Sequence, residues 1–186
     1  MRRLTAAAGA AALVGSAAAA GYVGLVTGRL TLDLGIGRRT RRLGPLEVDI
    51  AAPPALAFEV AAAPYAERRP RAMREKVEIL ERTEHMVLAA HRTPIGGGLI
   101  AITVETVTLD PPHRMGFRLL RGPVPYVVET FTFAESDSGT RLRYDGDLGT
   151  DLGALGESWG RIVARTWVAT VQRSLDDIKT EAERRA

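Results

Sequence analysis

The sequence predicts an α+β domain: a curved antiparallel sheet of about seven strands packed on one long C-terminal helix. Three observations carry this. In Leu46–Ile50, and again from Arg74 to Asp147, apolar residues recur with a period of two, in runs divided by turn signals. From Leu155 to Ile178 the period changes to three and four. The first 45 residues follow neither pattern and divide into an uncharged stretch and a basic linker.

Residues 46–50 alternate and open the sheet. Pro53 and Pro54 suit the first turn of a helix, in which Leu56, Val60 and Ala63 share a face. Pro64 and Pro70 keep any second helix short. Val77 and Ile79 then alternate with charge, and residues 86–91 form the next run. Residues 93–98 contain three consecutive glycines and read as a loop before a long strand, 99–109. Asp110-Pro111-Pro112 turns the chain into 114–121, where Met115, Phe117 and Leu119 share a face. Gly122-Pro123 leads into 126–133, and Asp137-Ser138-Gly139 is a hairpin signal before 141–147. The final stripe of Leu155, Trp159, Ile162, Val163, Trp167, Val171, Leu175 and Ile178 makes one amphipathic helix of about seven turns. Such a helix must lay its apolar face on the apolar face of the sheet.

The chain has 186 residues, 46% hydrophobic and 25% charged, which fits one domain and excludes disorder, collagen and coiled coil. It has no Cys, so disulfides, thiolate nucleophiles and Cys-ligated metals are excluded. The net charge of +3 is unevenly placed. Residues 1–45 hold seven Arg against one Asp, while residues 46–186 hold 18 basic and 21 acidic side chains. The domain is mildly acidic, which argues against a nucleic-acid partner.

Residues 5–27 carry no charge and contain 10 Ala and 4 Gly. As a helix they would reach roughly 35 Å, enough for a hydrocarbon core of about 30 Å. Residues 1–27 are therefore expected to be a signal anchor or transmembrane helix. A cleaved secretory peptide, with Ala18-Ala19-Ala20 before Gly21, and an Ala-rich tail are the alternatives. Residues 28–45 read as a basic linker. Its Arg38, Arg39, Arg41 and Arg42 are candidates for the membrane surface, or serve only to set topology. More Arg follows the stretch than precedes it, which favours a cytoplasmic domain on a single-pass anchor.

The segment Val48-Asp49-Ile50-Ala51-Ala52-Pro53-Pro54 leads into Ala57-Phe58-Glu59-Val60. Glu129-Thr130-Phe131 is followed by Gly139-Thr140-Arg141-Leu142 and then by the Trp-containing last helix. In these residues the chain, from about 46 to 186, resembles the START-like, helix-grip superfamily, also called SRPBCC or polyketide cyclase/dehydrase-like. The resemblance implies a curved sheet wrapped around the last helix, with a cavity between them for an apolar ligand. Some members cyclise polyketides; many only bind or transport lipids or other hydrophobic molecules. No cofactor is implied.

No motif makes a strong case for catalysis. Gly156-Glu157-Ser158-Trp159-Gly160 matches a nucleophile elbow literally, but it lies inside the helical stripe and no His follows it. His85, His91 and His113 complete no metal site and read as rim or surface residues. Gly96-Gly97-Gly98 lacks the Lys-Ser/Thr of a phosphate loop. Glu129 is the informative polar residue, because it shares parity with Val127, Phe131 and Phe133 and so points inward. Tyr144 points inward by the same rule. Glu129, Phe131, Tyr144, Trp159 and Val163 are the candidate ligand contacts. The expected function is a membrane-anchored binding protein for a hydrophobic small molecule or lipid. The alternatives are a cyclase/dehydrase-type enzyme using Glu129 and Tyr144 as acid and base, and an interaction module with a filled core.

Overall fold

The structure, a computed structural model, describes residues 16, 19–84 and 86–186. Seven strands form one antiparallel sheet: β1 (Arg39–Ile50), β2 (Val77–Arg82), β3 (Met86–Gly96), β4 (Leu99–Asp110), β5 (Arg114–Arg121), β6 (Tyr126–Ser136) and β7 (Gly139–Thr150). Their order is β1-β7-β6-β5-β4-β3-β2, so the chain runs back through consecutive hairpins from β2 to β7. The crossing from β1 to the far edge is made by α1 (Pro54–Ala62), a 3-10 turn (Ala63–Tyr65) and α2 (Arg71–Lys76). The last helix, α3, spans Gly153–Arg185.

Parity decides which side of each strand meets α3. Met115, Leu119, Val127, Phe131, Phe133, Leu142, Tyr144 and Leu148 are buried, while most of their strand neighbours are more exposed. Val163, Ala164, Val171 and Leu175 cover them from the helix. A fully buried leucine such as Leu175 stabilises the fold by roughly 2 kcal/mol. Gly160 lets the helix approach closely, because a Cβ there would meet Thr150 Cγ2 at 3.2 Å.

The structure corrects the N-terminal boundaries. β1 begins at Arg39, seven residues before the expected start, and pairs with β7 from Arg39↔Thr150 to Ile50↔Thr140. The Gly44-Pro45 pair that read as linker is an irregularity in the ladder, where the register shifts between Leu43 and Leu46. Arg38 binds Asp151 and Asp33, Arg39 binds Glu157, and Arg42 binds Asp145 and Asp147. Three of the four arginines offered as membrane-surface or topology residues are thus paired with carboxylates of the chain itself.

Most of residues 5–27 lie outside the described residues. Among the described residues, no helix is long and apolar enough to cross a membrane. Residues 19–26 are helical, and the chain from Tyr22 to Gly37 is seated on the domain. The strand ends differ from expectation by a few residues, and β3 runs on to Gly96 where a loop was expected. α3 is longer than its apolar stripe, because its last turns are held by charge pairs such as Arg184–Glu181 and Lys179–Glu183.

Candidate functional site

A cavity of about 700 Å³ lies between the inner face of the sheet and α3. Its walls are largely apolar, with Met115, Phe117 and Phe131 from the sheet and Trp159, Val163 and Val171 from the helix. That size accommodates a drug-sized ligand. Tilted and edge-to-face contacts link Tyr65, Phe117, Phe131 and Tyr144 into one aromatic row.

Two polar clusters interrupt this lining. The first centres on Glu129 of β6. The Tyr144 hydroxyl donates to its Oε1 at 2.5 Å, and Trp167 Nε1 donates to the same oxygen at 2.6 Å. Among the described residues Oε2 makes no hydrogen bond, so it is the oxygen free for a ligand. Gly146 sits opposite Glu129 in the ladder, where a Cβ would press on Tyr144 Oη at 2.9 Å and on Glu129 Cγ at 3.2 Å. Glycine at that position makes room for the pair.

The second cluster joins three elements. Tyr65, at the end of the 3-10 turn, shares a hydrogen bond with His91 Nε2 of β3 at 2.9 Å. His91 Nδ1 stands 3.3 Å from Glu105 Oε2 of β4 but is not aligned to bond to it. Tyr65, His91, Glu105 and Glu129 all line the cavity.

Burial governs the charge state of these groups. It pushes both Glu105 and Glu129 up to about 7; the Glu105 charge adds to the effect on Glu129, while the Tyr144 and Trp167 hydrogen bonds pull back. Burial lowers His91 to about 4, so the imidazole is neutral at pH 7. The two tyrosines are pushed upward, Tyr65 by burial and the two glutamates, Tyr144 by burial and Glu129. Both hydroxyls therefore keep their protons and can serve as hydrogen-bond donors. Among the described residues no group of His, Asp and Glu forms a metal centre.

Of the five sequence candidates, Glu129, Phe131, Trp159 and Val163 line the cavity. Tyr144 is fully buried behind them and is not part of the lining. Its hydroxyl is committed to Glu129, so it positions that carboxyl. Sequence reasoning missed Glu105, Tyr65 and Trp167 as polar partners and left His91 on the rim. The signal for Glu105 was present, because Ala101, Thr103, Glu105 and Val107 alternate on one parity. Tyr65 had no periodic signal, since it lies in a turn. His85 lies outside the described residues.

Residues 46–183, which hold the sheet, the C-terminal helix and most of the cavity lining, match the family described as polyketide cyclase / dehydrase and lipid transport. The chain belongs to this family. Among solved structures, it is similar to the Zhui aromatase/cyclase from Streptomyces sp. R1128, with 26% identity and a TM-score of 0.59 over 80% of this chain and 95% of that one. It also shares its fold with the di-domain ARO/CYC BexL of the BE-7585A biosynthetic pathway, at 22% identity and a TM-score of 0.59 over 79% of this chain. The di-domain ARO/CYC StfQ of the steffimycin pathway shares the fold at 16% identity and a TM-score of 0.55 over 78% of this chain. The match spans half the length of each di-domain protein. No curated protein matches the chain significantly in sequence.

Proposed function

We propose that this family member binds an apolar molecule bearing ketone or hydroxyl oxygens and performs acid–base chemistry of the cyclase or dehydrase type on it. The observation that carries this is the pair of buried carboxyls, Glu105 and Glu129, in the wall of a largely apolar cavity. A simple carrier of apolar ligands gains nothing from burying two carboxyls, which costs stability. Perturbed groups of this kind gather where protons are moved. The similarity to an aromatase/cyclase supports the same reading.

With burial raising both carboxyls toward neutrality, one can act as base and the other as acid. In a dehydration, Glu129 takes the proton from the carbon next to a ketone. The electron pair forms the carbon–carbon double bond and expels the β-hydroxyl, which leaves as water with the proton from Glu105. Tyr65 stands on the same wall as a neutral donor to a ligand oxygen.

The test is incubation of the full chain with a series of aryl β-hydroxyketones, following enone absorbance. Turnover that Glu129→Gln and Glu105→Gln each abolish supports the proposal. Probe binding with no turnover across the series rejects the chemistry and leaves a carrier.

The uncharged stretch 5–27 would tether the domain to a membrane, where apolar ligands concentrate, with the domain on the cytoplasmic side. Retention of the full chain in the membrane fraction after an alkaline wash, and its release on deleting residues 5–18, tests the tether.

A further inference from the structure

The family profile begins at residue 46, yet the cavity does not end there. Tyr22 and Val26 are among its lining residues. Both lie on the helical turns at 19–26, in a segment that neither the family match nor the sequence reading connects with a binding site. The Tyr22 ring meets Trp159 edge-on at 6.1 Å, at the end of the cavity nearer the start of α3. Trp159 is itself fixed, since its Nε1 donates to Pro123 O at 2.8 Å.

The segment is stitched to the domain over its whole length. Ile102 N donates to Thr27 O at 3.0 Å, and Arg121 Nε donates to Gly28 O at 3.2 Å. Thr31 and Gly122 bond reciprocally: the Thr31 hydroxyl donates to Gly122 O at 2.6 Å, and Gly122 N donates to Thr31 Oγ1 at 3.1 Å. Further on, Asp151 accepts from Leu34 N at 2.6 Å, Gly35 N at 2.8 Å and Arg38 Nε at 2.7 Å. The closest approach is at Gly28, whose φ of +68° suits glycine. A Cβ there would stand 2.1 Å from Ile102 O. No other residue fits this seat.

We propose that residues 22–31 form one wall of the ligand site, and that Tyr22 and Val26 contact the bound molecule. They would meet the part of the ligand away from Glu129, because Trp159, against which Tyr22 packs, and Trp167, which donates to Glu129, are eight residues apart on α3, about 12 Å along its axis. Tyr22 is 56% exposed and has apolar ring surface to bury on a ligand. The site therefore favours molecules long enough to reach from Glu129 to Tyr22 over shorter ones that fill only the family domain. This inference rests on the cavity being a ligand site, and deepens that reading by naming what sets ligand length.

The experiment uses the full chain and two neutral fluorescent probes, N-phenyl-1-naphthylamine and the shorter 1-naphthol. The double variant Tyr22→Ala/Val26→Ala should weaken the longer probe by about fivefold or more, with little effect on the shorter one. Gly28→Val should do the same while leaving both lining side chains in place, because it unseats the wall. Unchanged binding of the longer probe in both variants overturns the inference while leaving the cavity as a ligand site. Independently of any ligand, Gly28→Val should raise the fraction of tryptophan emission quenched by acrylamide, as Trp159 loses the Tyr22 ring. If the parent binds neither probe, an unchanged quenching profile in Gly28→Val overturns the wall, and a raised one supports it.

Discussion

The Tyr144 hydroxyl reaches Glu129 by a diagonal across two paired strands: Tyr144 faces Phe131 in the ladder, and Glu129 lies two residues before Phe131. This places the donor behind the carboxyl and leaves the other oxygen toward the cavity. Tyr144→Phe keeps the shape and removes the donor. It should cost about 1–2 kcal/mol in urea denaturation. It should also raise the Glu129 titration further, because the lost bond favours the charged form. Carbon-detected NMR titration of the side-chain carboxyls reads this directly, and an unmoved Glu129 would contradict the assignment.

The raised carboxyls give stability a definite pH dependence. Glu105 and Glu129 sit near 7 in the folded protein against 4.5 for the free side chain. Between these values the folded state holds protons that the unfolded chain has released. Their contribution is full below about 4.5 and is lost as pH rises through about 7. His91 acts in the opposite sense: lowered to about 4 from 6.5, its contribution is full above 6.5 and is lost as pH falls toward 4. Two carboxyls outweigh one imidazole, so the urea midpoint should fall between about pH 5.5 and pH 8. Glu129→Gln should flatten that fall, and an identical slope in the variant would show that Glu129 titrates normally.

Val163 faces the cavity from the first third of α3. A larger side chain there has empty space to occupy, unlike one forced into a filled core. Val163→Phe should change stability by less than about 1 kcal/mol and abolish binding of an apolar fluorescent probe. A strongly destabilised variant would mean that the space is not available to side chains.

Asp151 connects the N-terminal segment to the start of α3, and its side chain is only 2% exposed. Arg38 first, and then the Gly35 and Leu34 amides, hold it down to about 2. Its contribution to stability is therefore full above the ordinary carboxylate value of 3.8 and is lost as pH falls through about 2. Asp151→Ala should cost about 2–3 kcal/mol, since it leaves several donors without their acceptor. Hydrogen exchange should show faster exchange at Leu34 and Gly35 before the sheet is affected.

The sheet and its facing helix were legible because period two and period 3.6 are imposed by burial on one side. Met115, Phe117 and Leu119 or Leu142 and Tyr144 leave little choice of face. The first half of β1 was not legible, because its arginines and Gly44-Pro45 carry no apolar alternation. Its partner β7, distant in sequence, determines its conformation. Glu129 was legible from its aromatic neighbours on the strand. The influence of the Glu105 charge on it was not, since that depends on strands that are apart in the chain and on a cavity that local pattern cannot show.

The seat of the N-terminal segment sets a limit on the proposed tether. Tyr22 and Val26 cannot line the cavity and also lie within a bilayer. With them seated, the uncharged chain left for crossing runs from Thr5 to Gly21, about 25 Å as a helix. That falls short of a hydrocarbon core of about 30 Å. A full-length crossing would have to draw Tyr22 away from Trp159, so bilayer and ligand site compete for the same six residues, 22–27.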